Sequence, residues 1–385
     1  MRAAPITFLI YSPYPRYSGG RENWLYNLSG ELARHRRSVT VVSYASNRAR
    51  FYPPVDGVRV VSLPSIRYLD RAFFWVNRLT FGLAALVDAL VIYPLIAARR
   101  LAREKPVVLV CMNSIPEGLA ARIAGRPFFV SVRGDVPAEM ARPRWALERP
   151  LRAIERRILR RSVRVLANGS DTQQRLRSDG IESAVVPNGV DLERFRARPA
   201  ENGLGARLLE AARGRPVISA IGTLRPIKGT GDAIACAAEL KKLGAGFVLV
   251  LVGKGDESRY RRLARVHRVD DVVLILGETA DVPGVLRHTD IFLALSRGSG
   301  LSMAALEAMA ARVPVVALDS PVYRQLIDHE VNGLLARTPA EMAACCLRLL
   351  RDADLRRHLG QEAGRTAEDY DWDVVAARLL RELGR

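Results

Sequence analysis

The sequence predicts an α/β protein of two Rossmann-like domains, each a doubly wound parallel sheet, and three observations carry that expectation. Short continuous apolar runs alternate with helical patterns, as they do where parallel strands are covered on both faces. The alternation runs twice, once on each side of the turn signal Pro187-Asn188-Gly189. The chain has 385 residues, more than one core usually accommodates. The domains are read as 1–187 and 188–369, with a terminal helix at 370–385.

Residues 6–11 form the first strand, a buried one by its continuous apolar character, ended by Pro13 and Pro15. A loop closes on Gly19-Gly20, where glycine lets a ligand approach the backbone, and Leu25, Leu28 and Leu32 then follow at helical spacing. Glu22, in that helix's first turn, reads either as a ligand contact or as compensation of the helix dipole. Strands follow at 39–43 and 58–63. Residues 72–103 are unusual, because 81–98 is apolar except for Asp88. Eighteen residues just span a bilayer, but Asp88 near the centre and Pro94 argue against a span. Two readings stay open: a basic helix lying in the membrane interface, or a long core helix against the sheet. Phe73, Phe74 and Trp75, flanked by Arg71, Arg78, Arg99 and Arg100, fit a surface that dips into anionic lipid.

Strands resume at 107–112, 128–132, 163–167 and 184–186, with helices from Glu117, over 144–161 and from Ser170. Asn113-Ser114 and residues 131–135 (SVRGD) fall at strand ends, where ligands of such sheets bind. The second half repeats the pattern with strands at 217–221, 247–252 and 272–276, each followed by a glycine and polar or basic residues. Lys228, just before a helix, is placed to neutralise a pyrophosphate, with Arg225 beside it. Residues 291–311 (IFLALSRGSGLSMAALEAMAA) give a strand, a glycine-serine loop and a helix opening at Ser302, whose free N–H groups suit phosphate. Glu307 lies one turn beyond Met303 on the same face and must find a partner, either ligand hydroxyls or a neighbouring backbone.

Composition narrows the partners. The formal charge is +19, from 59 Lys+Arg against 40 Asp+Glu, which favours an anionic partner without choosing among phosphorylated substrate, acidic lipid and nucleic acid. Aromatic residues make up 6% and are not interleaved with the basic ones, so stacking platforms for single-stranded nucleic acid are not expected. The four cysteines (Cys111, Cys236, Cys345, Cys346) lack zinc or disulfide spacing, which suits a cytoplasmic, reducing setting. The first apolar run is too short for a secretory signal. No GxGxxG follows the first strand and no GxxxxGK[ST] occurs, which argues against a dinucleotide oxidoreductase and a P-loop enzyme. The acids of 369–373 read as capping a helix start rather than as metal ligands.

With these residues in hand, the chain resembles glycosyltransferase family 4, of the two-domain type called GT-B. Gly19-Gly20-Arg21-Glu22 resembles the family's GGxE loop, Pro187 to Asp191 its PNGVD linker, residues 222–229 its GRLxxxKG loop, and 300–310 its donor motif. Residues 281–296 are similar to the DVPELLxxADxFxxPS segment between the last two. The resemblance runs nearly end to end. It implies a retaining, metal-independent transfer of a sugar from a UDP-sugar or GDP-sugar, with no cofactor, to a glycan or lipid-linked acceptor in bacterial surface-glycan synthesis. It implies donor contacts at Gly19, Gly20, Asn188, Thr223, Arg225, Lys228, Gly253, Ser299, Gly300, Leu301, Ser302, Met303 and Glu307, the last holding ribose hydroxyls. The resemblance implies that the first domain, 1–187, binds the acceptor and the second, 188–369, the nucleotide-sugar donor, with the terminal helix returning to the first domain. The basic surface with 72–103 then suggests a peripheral position on the inner face of the plasma membrane.

Three departures from the family pattern bear on chemistry. Ser299 stands where the family has the first glutamate of E-x7-E, Thr223 where it has an arginine, and Arg133 where it has a histidine. Arginine cannot act as a base at neutral pH, but it can clamp a phosphate or sugar hydroxyl, with Asp135 orienting it. Arg133, Asp135 and Lys228 are therefore the expected catalytic group. A catalytically silent relative that binds nucleotide sugar or scaffolds a complex is the alternative these departures keep open. A nucleic-acid-binding protein, suggested by the charge alone, and a sugar-nucleotide epimerase are weaker rivals.

Overall fold

The computed structural model describes residues 4–12, 20–44, 54–64, 80, 83–141, 145–197, 204–279, 281–298 and 301–384. The chain divides into two compact units, Met1–Pro187 with Trp372–Arg385, and Asn188–Asp371. The terminal segment of the first unit thus starts two residues later than the sequence reading placed it.

The first unit is built on seven parallel strands: β1 (Ile6–Ile10), β2 (Val39–Tyr44), β3 (Val58–Leu63), β4 (Val108–Cys111), β5 (Phe129–Val132), β6 (Arg164–Ala167) and β7 (Ala184–Val185). Their order is β3-β2-β1-β4-β5-β6-β7. Every residue of β1, inside the sheet, is buried, as its unbroken apolar run requires, whereas β3 at the edge buries only Leu63 and leaves its other residues partly or more fully exposed. The direction of winding reverses between β1 and β4, which opens a crevice at their carboxyl ends. The Gly20–Arg34 helix after β1 buries Trp24, Leu25, Leu28 and Leu32 at helical spacing. The final helix, Trp372–Leu383, packs along it and buries Trp372, Val375, Ala376 and Leu379.

The apolar segment before β4 is not one long helix. Its described part is a helix at Leu83–Val87, a π-helical turn at Asp88–Ile92 and a helix at Tyr93–Glu104. No helix among the described residues is long and apolar enough to cross a membrane. Asp88 explains the break. Its carboxylate is fully buried and accepts from the hydroxyls of Tyr11 at 2.5 Å and Tyr44 at 2.7 Å, and the wider turn is the kind of irregularity that re-aims a side chain inward. Tyr11, Tyr44 and Tyr93 pack mutually, with ring centroids 4.8–5.4 Å apart. One face of the segment is therefore core: Tyr93, Ala97, Ala98 and Leu101 are buried. The opposite face exposes Leu83, Val87, Val91 and Leu95, each 42–49% accessible, at a strict spacing of four. The buried face fits the reading of a core element against the sheet, and the other face is apolar and exposed. Phe73, Phe74, Trp75, Arg71 and Arg78 lie outside the described residues.

The second unit has six parallel strands: β8 (Val217–Ile221), β9 (Val248–Val252), β10 (Val273–Gly277), β11 (Ile291–Ala294), β12 (Val315–Leu318) and β13 (Leu334–Ala336). Their order is β10-β9-β8-β11-β12-β13, with the reversal between β8 and β11. Both sheets are the doubly wound parallel sheets that the sequence predicts. The sequence reading stops short of β12 and β13. β13 is three residues long, too short for a pattern to show, and β12 follows a helix that is itself apolar nearly all round, so its VVAL run does not stand out.

Candidate functional site

The residues that the sequence marks in the second unit gather at the carboxyl end of its sheet. After β8 the chain passes Gly222 and makes a 3-10 turn at Pro226–Lys228, and Gly229 then leads into the Thr230–Lys242 helix. Gly229 has φ +72°, and a Cβ there would fall 2.4 Å from the Cβ and carbonyl oxygen of Leu295, at the end of β11. Only glycine lets these two loops pass so closely. The Arg297 N–H donates to the Ile227 carbonyl at 2.8 Å, and Lys228 Nζ reaches Ser296 Oγ at 3.4 Å. The loops after β8 and β11, the strands that flank the switch point, are thus tied side by side.

Ser302 caps the Met303–Ala310 helix as its residue type predicts, its hydroxyl accepting from the Ala305 N–H. The loop before it is held from two sides. Asn188, buried at the start of the unit, donates to the Leu301 carbonyl at 2.8 Å, and the buried Tyr323 hydroxyl accepts from the Ser296 N–H at 2.9 Å. The N-terminal N–H groups of the helix and the Lys228 ammonium therefore lie on loops that hydrogen bonds fix in place, an arrangement that suits a phosphate. Lys228 and Arg225 are exposed, and among the described residues no carboxylate forms a salt bridge with either. Although the residue as a whole is exposed, desolvation of the ammonium where the two loops meet, and after it the neighbouring Arg225 charge, lower the Lys228 pKa. Two crowded cations of this kind are relieved by an anion.

Glu307, one turn into the same helix, is the second feature. Burial raises its pKa to about 7, opposed by the charge of Arg194, and among the described residues no hydrogen bond is made to its carboxylate. The sequence leaves open a neighbouring backbone as its partner, and the described residues supply none. Between about pH 4.5 and 7 the folded chain binds a proton here that the unfolded chain does not, so this group makes stability fall as pH rises across that window. Glu307→Gln is therefore expected to raise the melting temperature above pH 7 and to leave it unchanged below about pH 4.5, as differential scanning fluorimetry across pH would read.

Thr223 is exposed and follows Gly222, so the position where the family has an arginine carries no charge here. Gly253, after β9, has φ +145°, and its backbone crosses that of Gly222. Gly20 opens the first helix. Gly19, Ser299 and Gly300 lie outside the described residues.

Arg133 and Asp135 lie in the first unit, and their geometry corrects one expectation. Asp135 does not orient Arg133: its carboxylate caps the Val136–Ala141 helix through the Ala138 N–H at 3.2 Å and pairs with Arg152 at 2.7 Å. Arg133 instead stacks on Trp24, with the guanidinium carbon 3.5 Å from the ring centroid, and donates to the Val186 carbonyl at 2.8 Å and to Ser131 Oγ at 3.1 Å. The buried Trp24 indole N–H donates to the Pro187 carbonyl at 3.0 Å. Arginine suits this place because its planar fork stacks and bonds at once. Sequence reasoning missed Trp24 and Tyr323. Each acts on a segment far away in the chain, and no local pattern marks either.

The carboxyl end of the first sheet carries polar groups of another kind. Glu117, fully buried beyond β4, accepts the Tyr11 N–H at 2.9 Å through Oε1, and its pKa is raised to about 7 by burial, Arg21 opposing. Glu22, also buried, accepts from the Ser12 hydroxyl and lies 3.8 Å from Arg21. A ligand contact by Glu22 and dipole compensation in its helix's first turn are both compatible with that place. The acids of 369–373 enter no site of this kind. Asp373, with Glu31 and His35, brings three potential ligand atoms within 4.8 Å, but two of the three residues are exposed and His35 bonds Asp373 at 2.5 Å, which ties the terminal helix to the Gly20–Arg34 helix.

The model described as "Glycosyltransferase Family 4" matches residues 18–194, and that described as "Glycosyl transferases group 1" matches 215–352. A D-inositol 3-phosphate glycosyltransferase of Salinispora arenicola is 28% identical over 252 residues, which cover 60% of this chain and 56% of the relative. A phosphatidyl-myo-inositol mannosyltransferase of Mycolicibacterium smegmatis is 29% identical over 211 residues, covering 54% and 52%. A GDP-mannose-dependent alpha-(1-6)-phosphatidylinositol monomannoside mannosyltransferase of Mycobacterium tuberculosis is 32% identical over 210 residues, covering 50% and 54%. The chain spans about half the length of the curated relatives it matches. Among solved structures, Anabaena Alr3699/HepE in complex with UDP superposes with a TM-score of 0.75 at 19% identity over 99% of both chains. WaaG, a glycosyltransferase involved in lipopolysaccharide biosynthesis, gives 0.72 at 16% identity over 98% of this chain and 99% of its own. These likenesses show the fold, which is GT-B.

Proposed function

Because the chain belongs to glycosyltransferase family 4, we propose that it transfers a sugar from a nucleoside diphosphate sugar to a hydroxyl of a polar acceptor. The observation that carries this reading is the switch point of the second sheet. There, the unpaired cations Lys228 and Arg225 and the free N–H groups at Ser302 and Met303 suit a diphosphate. Glu307 on the same helix, partly buried and with no hydrogen-bond partner among the described residues, suits the hydroxyls of a ribose. Transfer proceeds with retention and without a metal: lysine, arginine and the helix dipole stabilise the charge that develops on the departing diphosphate. In the first unit Arg133 serves to fix the Val186–Pro187 backbone through its stack on Trp24. UDP and GDP are the candidate donor nucleotides.

A thermal-shift panel of UDP, GDP, ADP and dTDP tests this reading. A ligand at about 100 times its dissociation constant adds roughly 2.7 kcal/mol to the state that binds it. One nucleoside diphosphate is expected to stabilise the chain, and indifference to all four would overturn the reading. Anomeric NMR of the product formed from the matching nucleotide sugar then reads retention, and unimpaired transfer in EDTA reads independence of metal.

The acceptor is lipid-linked and is met at an anionic membrane surface, as for a surface glycan built on the inner face of the plasma membrane. The exposed face of Leu83, Val87, Val91 and Leu95, continued by exposed Arg99 and Arg103, supports this, in a chain of net charge +19. Liposomes containing phosphatidylglycerol are expected to float the protein and phosphatidylcholine liposomes to leave it behind. Val91→Asp with Leu95→Asp abolishes flotation while the melting temperature holds, since both side chains are already half in water. Flotation indifferent to lipid charge would remove the membrane from the account.

A further inference from the structure

We infer that the carboxyl end of the first sheet binds the acceptor as a neutral, hydroxyl-bearing sugar rather than as a phosphorylated group, with Asn113 and Glu117 as its recognition residues. The inference rests on the transferase reading above and names the acceptor class of that reaction.

The argument begins with unsatisfied atoms. Buried polar groups are almost always hydrogen-bonded, so each exception needs a cause. Asn113 and Glu117 are 2% and 0% accessible, and among the described residues Asn113 Oδ1 and Glu117 Oε2 have no hydrogen-bond partner. Both belong to the turn that follows β4, closed by the Gly118 N–H on the Asn113 carbonyl at 3.1 Å. The turn lies at the switch point, because β1 and β4 are paired neighbours and the Met112 N–H donates to the Leu9 carbonyl. The other Glu117 oxygen is fixed on the Tyr11 N–H at the end of β1, which sets the orientation of the carboxylate. Nearby, the buried Tyr93 hydroxyl also lacks a partner. It adds a group able to donate or accept.

The sign of these groups selects the ligand. An amide oxygen and an ionised carboxylate only accept hydrogen bonds and a protonated carboxyl donates one, and sugar hydroxyls, which donate and accept, satisfy Asn113 and both forms of Glu117. A phosphate monoester offers acceptors and negative charge. Here it meets Glu117 and the buried Glu22, whose charges already interact unfavourably. The guanidinium groups at this end are engaged: Arg21 faces Glu22 at 3.8 Å, and Arg133 is stacked on Trp24 and bonded to the Val186 carbonyl. The switch point of the second sheet has the opposite character, with two cations and a helix N-terminus. One sheet end is thus built for an anion and the other for a polyol. Phosphate or phosphatidyl groups stand in the printed names of relatives of this chain, and this end of the first sheet is unsuited to receiving such a group directly.

Saturation-transfer NMR titrations test the inference, with methyl α-mannoside, methyl α-glucoside and myo-inositol set against mannose 6-phosphate, glucose 6-phosphate and myo-inositol 1-phosphate. The protein is held at saturating concentration of the nucleoside diphosphate that stabilises it. At least one neutral compound is expected to bind, with its phosphate about tenfold weaker or worse. Asn113→Ala and Glu117→Gln are each expected to weaken the neutral ligand by about tenfold while stabilisation by the nucleotide persists. Glu117→Gln keeps the shape of the side chain, and Asn113→Ala keeps the inference testable should that variant fold poorly. Tighter binding of a phosphate, binding of no neutral compound, or neutral binding unchanged in both variants would overturn the inference with nucleotide binding intact. Failure of every nucleotide to bind would instead bring down the transferase reading, and this inference with it.

Discussion

Lys228→Ala is expected to lower turnover by about 10²–10³, on the order of 3–4 kcal/mol of transition-state stabilisation, with the fold left intact. The size follows from what the ammonium does in the resting protein. It sits on a turn that hydrogen bonds hold, reaches only Ser296 Oγ at 3.4 Å, and has Arg225 close enough to lower its pKa. Its removal breaks no ion pair and relieves a repulsion, so the melting temperature should move by no more than about 2 °C. Negative charge on the diphosphate grows as the glycosidic bond breaks, and kcat should therefore fall more than KM rises. Undiminished nucleotide release by Lys228→Ala would refute the assignment of this residue.

Gly253→Ala is expected to be the most destabilising single change at the second sheet, at about 3 kcal/mol or more, which for a unit of this size is roughly 10 °C. A Cβ at this position would lie 1.8 Å from the Gly222 carbonyl oxygen. The backbone has little freedom to yield. The Gly222 N–H is bonded to Val252 at 2.9 Å, the Gly253 N–H to Gly277 at 2.7 Å and the Leu224 N–H to Lys254 at 2.8 Å. Gly222→Ala is the control, because its φ of +153° is equally unsuited to alanine while its Cβ would meet nothing within 4 Å. That change should cost about 1–2 kcal/mol, from conformation alone. Chemical denaturation of the two variants separates collision from backbone preference, and equal losses would mean that the crossing is softer than its geometry.

Legibility in the sequence followed the range of the interaction. Central strands such as β1 and β9 could be read because burial on both faces demands an unbroken apolar run. Ser302 could be read because a cap acts within three residues, and the structure shows it accepting from Ala305. Lys228 and Glu307 were marked by their places beside a glycine loop and in an apolar helix. Contacts between distant segments were not legible. Nothing near Asp88 announces Tyr11 and Tyr44, which lie 77 and 44 residues away, and nothing in SVRGD says that its arginine would turn to Trp24 and its aspartate to Arg152. Adjacency suggested an Arg133–Asp135 pair, and tertiary partners prevailed over it. Asn113 was marked by its place at a strand end, whereas Glu117 read only as a helix start, and the count of satisfied atoms is what sets it apart.

The Asp88 carboxylate has a consequence before the fold exists. A nascent chain carrying residues 81–98 presents eighteen nearly unbroken apolar residues to the insertion machinery of the cell, and with a leucine at 88 nothing acidic would interrupt them. One aspartate at mid-span costs about 2.5–3.5 kcal/mol on the insertion scale, enough to turn a stretch of this length away from the bilayer interior. The two tyrosine hydroxyls later give that charge a home inside the first unit. The residue type that opposes insertion is thus also a packing element: two tyrosines hold it inside the first unit, on the side away from the exposed apolar face.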